Sequence, residues 1–317
     1  MGGVQQMKRF FLMIFTVLFI SAIAVGCGQG DTDKSKENEK SAEKAGAKDK
    51  KELSPEQVIT KSSEAMNDWP GMDYKMNGQV VIHAKKGEEK QDITQDLNME
   101  SKVKLDPLSL QINGDITMEG QKVPVQSYYK DKTMYQEVPG QGWIAIEGMD
   151  FEALQENSQA QNPAEQMKQF TKIIKSLPDN DDKKNAYVEK SEEDGMYIIT
   201  LNLDKAALEK VGDQAKEIIQ QSMGEQLQQI AGDTLDNMVY NNMKMTFYID
   251  KKSFEQKKLK QEMSISLKQD DADMTIDSKI NIDSIQKYDK DIVIPEDVKK
   301  NAQKVSFDQL QEEQAQQ

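Results

Sequence analysis

The chain holds one cysteine, Cys27, and one histidine, His83, among its 317 residues, so the chemistry open to it is narrow. A lone thiol closes no disulfide within the molecule, and one Cys with one His cannot assemble a four-ligand zinc site. A Ser-His-Asp triad would have to be built on His83, yet no Gly-x-Ser-x-Gly elbow occurs. His83 also falls on the polar parity of an alternating segment, where a solvated surface histidine is expected. Phosphate loops and dinucleotide fingerprints are missing from the sequence. Two acidic clusters remain, Asp179-Asn180-Asp181-Asp182 and Asp270-Asp271-Ala272-Asp273. Neither has the glycine and distal glutamate of a calcium loop, so they read as solvated turns, with weak calcium binding as the alternative. Paired carboxylates for glycoside hydrolysis would need two acids to meet in space, and no pair is singled out. The expectation is a protein that is not an enzyme and that uses no cofactor and no metal.

Methionine is the unusual residue. The chain has 18 methionines while aromatics make up only 6% of it. Met72, Met76, Met99, Met118, Met243, Met245, Met263 and Met274 all fall on the apolar parity of alternating segments. A flexible, polarisable thioether adapts to irregular apolar partners, so Met-lined surfaces suit varied acyl chains or apolar peptides. The competing reading is an ordinary core that uses methionine as filler. Met76, Met99, Met245 and Met263 are the candidate ligand-binding residues. Trp143, in Gly142-Trp143-Ile144, reads as a strand-end core aromatic or as the rim of a cavity.

The surroundings of Cys27 carry the firmest signal. Lys8 and Arg9 precede an uncharged apolar run, Phe10 to Val25, shorter than the roughly 20 residues that span a bilayer. Its length and flanks are those of a signal-peptide h-region. The run ends in Ala24-Val25-Gly26-Cys27, which resembles the lipobox of bacterial lipoproteins, with Ala24 where leucine is usual. That resemblance implies cleavage before Cys27, diacylglycerol on its thiol, and two palmitate-class acyl chains in all, enough for stable anchoring. Residues 1–26 are then a signal peptide, and 27–52 the lipidated cysteine and a charged tether. From Gly28 to Glu52 seven lysines face seven acids without apolar periodicity, so the segment cannot bury enough surface to order itself. The expected place is the extracytoplasmic face of the cell membrane. A net charge of −14 argues against nucleic acid as a partner.

The elements beyond the tether follow from pattern. Ser54-Pro55-Glu56-Gln57 is a capping box with proline at the first helical position. Val58, Ile59, Ser62, Ala65, Met66 and Trp69 continue at helical spacing up to Pro70-Gly71. Two-residue alternation then runs through Met72–Ile82, Ile93–Leu105 and Leu108–Met118. Turns are expected at Lys85-Lys86-Gly87, Asp106-Pro107 and Glu119-Gly120. Shorter strands follow at 123–129, 133–138 and 143–147, then a helix over 163–177 with Ile173 and Ile174 on its apolar stripe. A hairpin covers 187–191 and 196–203, and a long helix runs from Asp204, as N-cap, to Ala231. Strands return around Met243–Ile249, Met263–Leu267 and Met274–Ile282. One apolar and one polar face per strand is the mark of an antiparallel sheet wet on one side. The fold class expected is α+β: a large curved antiparallel sheet, an open half-barrel, with helices packed on its concave face. It occupies one domain over 53–307, before a Gln-rich tail at 308–317.

This order of elements, with its long strands and strand–Asp-Lys–strand hairpins, resembles the lipoprotein-carrier fold of LolA and LppX-type proteins. It is closest to the uncharacterised Gram-positive envelope lipoproteins that carry such a domain. The resemblance implies an apolar cavity and a non-catalytic protein that binds a lipid, an acyl chain or a lipidated protein. The alternative is a structural or regulatory envelope protein that binds a partner protein and no small molecule.

Overall fold

The computed structural model describes residues 52–149 (except 88), 171, 174, 187–210, 238–269 and 272–307. The expected signal peptide, Cys27, most of the two longer helices, the cluster at 179–182 and the tail at 308–317 lie outside these residues.

Helix α1 (Pro55–Met66) begins as the sequence dictates. The Ser54 hydroxyl accepts from the Gln57 backbone N–H at 3.3 Å, and Gln57 Oε1 accepts from the Ser54 N–H at 2.9 Å. The two residues satisfy donors that a helix start leaves unpaired. The helix ends at Met66, one turn before the proline. The Trp69 N–H still donates to the Met66 carbonyl at 3.2 Å, and the indole is buried. Apolar periodicity therefore outlasts the helix, because the turn that follows returns Trp69 to the same core.

Among the described residues twelve strands follow: β1 (Gly71–Lys86), β2 (Glu89–Leu105), β3 (Leu108–Met118), β4 (Gln121–Lys130), β5 (Thr133–Val138) and β6 (Gly142–Glu147) in the first half. The second half holds β7 (Val188–Glu193), β8 (Met196–Asp204), β9 (Met238–Asp250), β10 (Gln256–Gln269), β11 (Ala272–Lys287) and β12 (Gln303–Ser306). Short helices α2 (Lys205–Lys210) and α3 (Glu296–Asn301) interrupt them. All join one open, curved sheet in the order β12-β6-β5-β4-β3-β2-β1-β11-β10-β9-β8-β7. Pairing is antiparallel except between β12 and β6. Three hairpins close through two residues with positive φ, at Glu119-Gly120, Asp131-Lys132 and Asp194-Gly195. Such turns match the right-handed twist of the strands they join.

The inner face of the sheet carries the main core. Val58, Ile59 and Met66 of α1, Ile174, and Ala207 and Leu208 of α2 enter one cluster with buried residues of the strands. Helical segments thus pack on one face, as expected, and Ile174 is the stripe residue it was read to be. Asp204 caps α2 by accepting from the Ala207 N–H at 2.7 Å.

The outer face holds a second, smaller core that the sequence did not disclose. After β11 the chain crosses the outer face as a strap. The Tyr288 N–H donates to the Gly71 carbonyl, Asp291 pairs with Lys104, and Lys130 Nζ donates to the Ile292 carbonyl at 3.1 Å. Ile292, Ile294 and Val298 then bury against Tyr128, Tyr135 and Trp143. The Tyr128 and Trp143 rings lie 5.8 Å apart. Trp143 is therefore a strand-end aromatic of this second core, turned outward beneath the strap by its strand parity.

Candidate functional site

Antiparallel register aligns inner-face residues into rows that cross the sheet. One row reads Val125–Gly114–Met99–Met76–Ile282–Leu259–Phe247–Ile199, from β4 to β8 without a polar side chain. At about 4.8 Å per strand it covers roughly 34 Å of sheet. The next row, Val123–Ile116–Leu97–Gly78–Ile280–Gln261–Met245–Leu201–Val188, is apolar except for Gln261. A third brings Met118, Gln95, Val80, Ser278, Met263, Met243 and Leu203 into line.

The four candidate methionines all lie on this face. Met76 and Met99 stand directly opposite each other and are each 1% exposed. Met245 is buried, while Met263 is half-buried against the core and opposite Met243. They form no single knot, because β9 lies three strands from β1, about 14 Å across the sheet. Met76 and Met99 mark one half of the face, Met243, Met245 and Met263 the other.

Two inner-face glycines lie in these rows: Gly78, which the alternation over Met72–Ile82 includes, and Gly114, which the sequence reading did not name. A Cβ on Gly114 would sit 2.1 Å from the Asn98 carbonyl oxygen and 2.7 Å from Met99 Sδ. One on Gly78 would meet Lys279 O at 2.3 Å and Ile280 Cδ1 at 2.8 Å. Glycine inside a strand weakens it and marks a close approach. Here each clears room on the inner face for a neighbour's long side chain.

Beside the apolar rows runs a polar one, Tyr74–Ser101–Ile112–Ser127–Gln136, from β1 to β5. The Tyr74 hydroxyl and Ser101 Oγ are fully buried, with no partner beyond each other. Burial pushes the Tyr74 hydroxyl far above its usual range, with Ser101 lowering it slightly, so it is a neutral donor and acceptor at any ordinary pH. Burial also raises the Tyr240 hydroxyl, and Tyr240 OH, Ser62 Oγ on α1 and Gln95 Oε1 are likewise buried without partners. Across these rows the one charged side chain is Lys190 on the β7 edge, in line with Ile199. It is held by Glu52 and the Leu53 carbonyl, each at 2.7 Å.

His83 lies on the outer face, as its parity predicted, and is about half exposed. Its Nδ1 is 2.8 Å from Asp92 Oδ1 and its Nε2 3.4 Å from Asp277 Oδ2. The Asp92 hydrogen bond raises its pKa above the usual histidine value, and Asp277 adds to the rise. It takes no part in the inner face. Among the described residues no helix is long and apolar enough to cross a membrane.

Residues 54–303 match a family described as "Family of unknown function (DUF6612)", and the chain belongs to that family. No curated protein matches the sequence. Solved structures with remote likeness include the following three. LprF from Mycobacterium bovis is 12% identical with a TM-score of 0.30, over 76% of this chain and 95% of that one. A beta-barrel-like protein of a domain of unknown function, DUF1849, from Brucella abortus is 8% identical with a TM-score of 0.22, over 68% and 98%. A DUF1329 family protein from Desulfovibrio piger is 12% identical with a TM-score of 0.20, over 77% and 94%.

Proposed function

We propose that this family member is an extracytoplasmic lipoprotein, anchored to the cell membrane through Cys27, that binds an apolar ligand on its inner face without catalysis. The ligand would be a lipid, an acyl chain or a lipidated protein. The observation that supports this most is the unbroken apolar row from Val125 to Ile199, with methionines in both halves of the face. Each methylene buried there would contribute about 0.8 kcal/mol, before the cost of ordering the ligand. Met76, Met99, Met245 and Met263 are the residues we assign to the contact. The anchor rests on the sequence around Cys27.

Two measurements test the reading. Native mass spectrometry of the wild type should find co-purified lipid, and Met245→Trp should lose it with the denaturation midpoint held. In a tightly packed core the same substitution would destabilise the fold by about 1–3 kcal/mol through overpacking. No bound lipid in the wild type, with a lowered midpoint in the variant, would make these methionines plain core. For the anchor, Cys27→Ala should abolish incorporation of a fatty-acid analogue and leave the precursor uncleaved. Equal labelling of variant and wild type would refute lipidation at this cysteine.

A further inference from the structure

We propose that Met118 is a site of oxidation by peroxides, and that the Gln95 amide is positioned to receive its sulfoxide. The methionines of the inner face differ in access. Met76 and Met99 are each 1% exposed, Met243 4% and Met245 6%, so an oxidant in water cannot reach their sulfurs without opening the fold. Met118 stands at the end of β3, beside the Glu119-Gly120 turn, and is half-buried. Its sulfur already has a donor beside it. Gln95 lies directly opposite in the register of β2 with β3, is 5% exposed, and donates from Nε2 to the Met118 sulfur at 3.5 Å. A thioether is a weak acceptor, so this buried N–H is poorly used. Oxidation turns the apolar thioether into a polar sulfoxide, whose oxygen takes the same N–H as an ordinary acceptor.

The step is a two-electron transfer. The Met118 sulfur attacks one oxygen of hydrogen peroxide, and the S–O bond forms as the O–O bond breaks. The proton on the transferred oxygen passes to the departing hydroxide, which leaves as water. Sulfur is oxidised, peroxide is reduced, and nothing else is consumed. The new oxygen adds a polar group to the row of Met118, Gln95 and Val80, at the hairpin end of the inner face, while the deeper methionines stay reduced.

The test compares methionines of similar access. Met263 and Met274 are half-buried on the same face and serve as internal controls. The purified full-length chain is treated with hydrogen peroxide, and the added oxygen is followed at each methionine by peptide mass spectrometry. Met118 should oxidise at least about threefold faster than either control, the gain that one net hydrogen bond supplies. Gln95→Leu removes the donor together with a buried carbonyl oxygen that has no partner, so the fold should hold. In that variant the lead of Met118 should vanish while the controls keep their rates. Loosened packing would raise the Met118 rate, so a fall marks the lost donor. A Met118 rate no higher than the controls in the wild type would overturn the proposal, as would a lead that survives Gln95→Leu. The wild-type comparison needs no variant and decides alone if Gln95→Leu does not fold.

Discussion

His83 sits between Asp92 and Asp277 on the outer face, and its raised pKa couples one residue to the stability of the whole chain. The folded protein holds the proton more tightly than the unfolded chain, whose histidine titrates near about 6.5. The resulting stabilisation is complete below that value and fades as pH rises through the higher folded pKa. A His83→Gln variant should therefore lie below wild type in melting temperature at pH 5.5, with the gap closing by pH 8.5. An NMR titration of the imidazole should place its midpoint above 6.5. A gap that widens with pH would show that the carboxylates do not hold the proton. The parity of His83 was legible in the sequence. Its two partners were not, because Asp92 arrives from β2 and Asp277 from β11, the latter nearly two hundred residues away.

Strands are the elements the sequence declared best. Alternation over Met72–Ile82, Ile93–Leu105 and Leu108–Met118 sits within β1, β2 and β3, and buried residues follow the expected parity. A two-residue period has one physical reading when one face is buried, since a slip of one residue would turn every apolar side chain to water. What alternation cannot show is why a phase contains a gap. Gly78 and Gly114 hold inner positions where neighbouring backbone and side chains already fill the space of a Cβ. Gly114→Val should destabilise the fold by about 1–3 kcal/mol, the range for overpacking, as read from denaturant midpoints. Valine has the higher strand propensity, so a rise in the midpoint would mean that the close approach to Met99 does not matter.

The strap from Tyr288 to Ser306 gives the molecule its second face. It joins the centre of the sheet, where β11 ends, to the β6 edge, where β12 pairs in parallel. Ile292 is 1% exposed beneath it. Ile292→Ala should cost about 2–5 kcal/mol. In a Trp69→Phe background the emission of Trp143 should shift to the red as the strap loosens. An unchanged midpoint and spectrum would mean that the outer core does not depend on the strap. The sequence showed no element here, because Ile292, Val293 and Ile294 form too short a run for either period, and Val293 is 74% exposed.

By itself the sequence determined the local and the periodic: the capping box at Ser54, the strand parities, the hairpin at Glu119-Gly120 and the paucity of nucleophiles and bases. These follow from dihedral preference and burial, which act over a few residues and leave a pattern in the chain. Only the tertiary structure decided which strands became neighbours. It set β1 between β2 and β11, aligned Met76 with Met99 and Met243 with Met263, and put the Tyr74 and Ser101 hydroxyls opposite each other. It also turned Trp143 away from the main core. Register between distant strands is fixed by packing and by closure of the curved sheet, and neither is written in any one segment of the sequence.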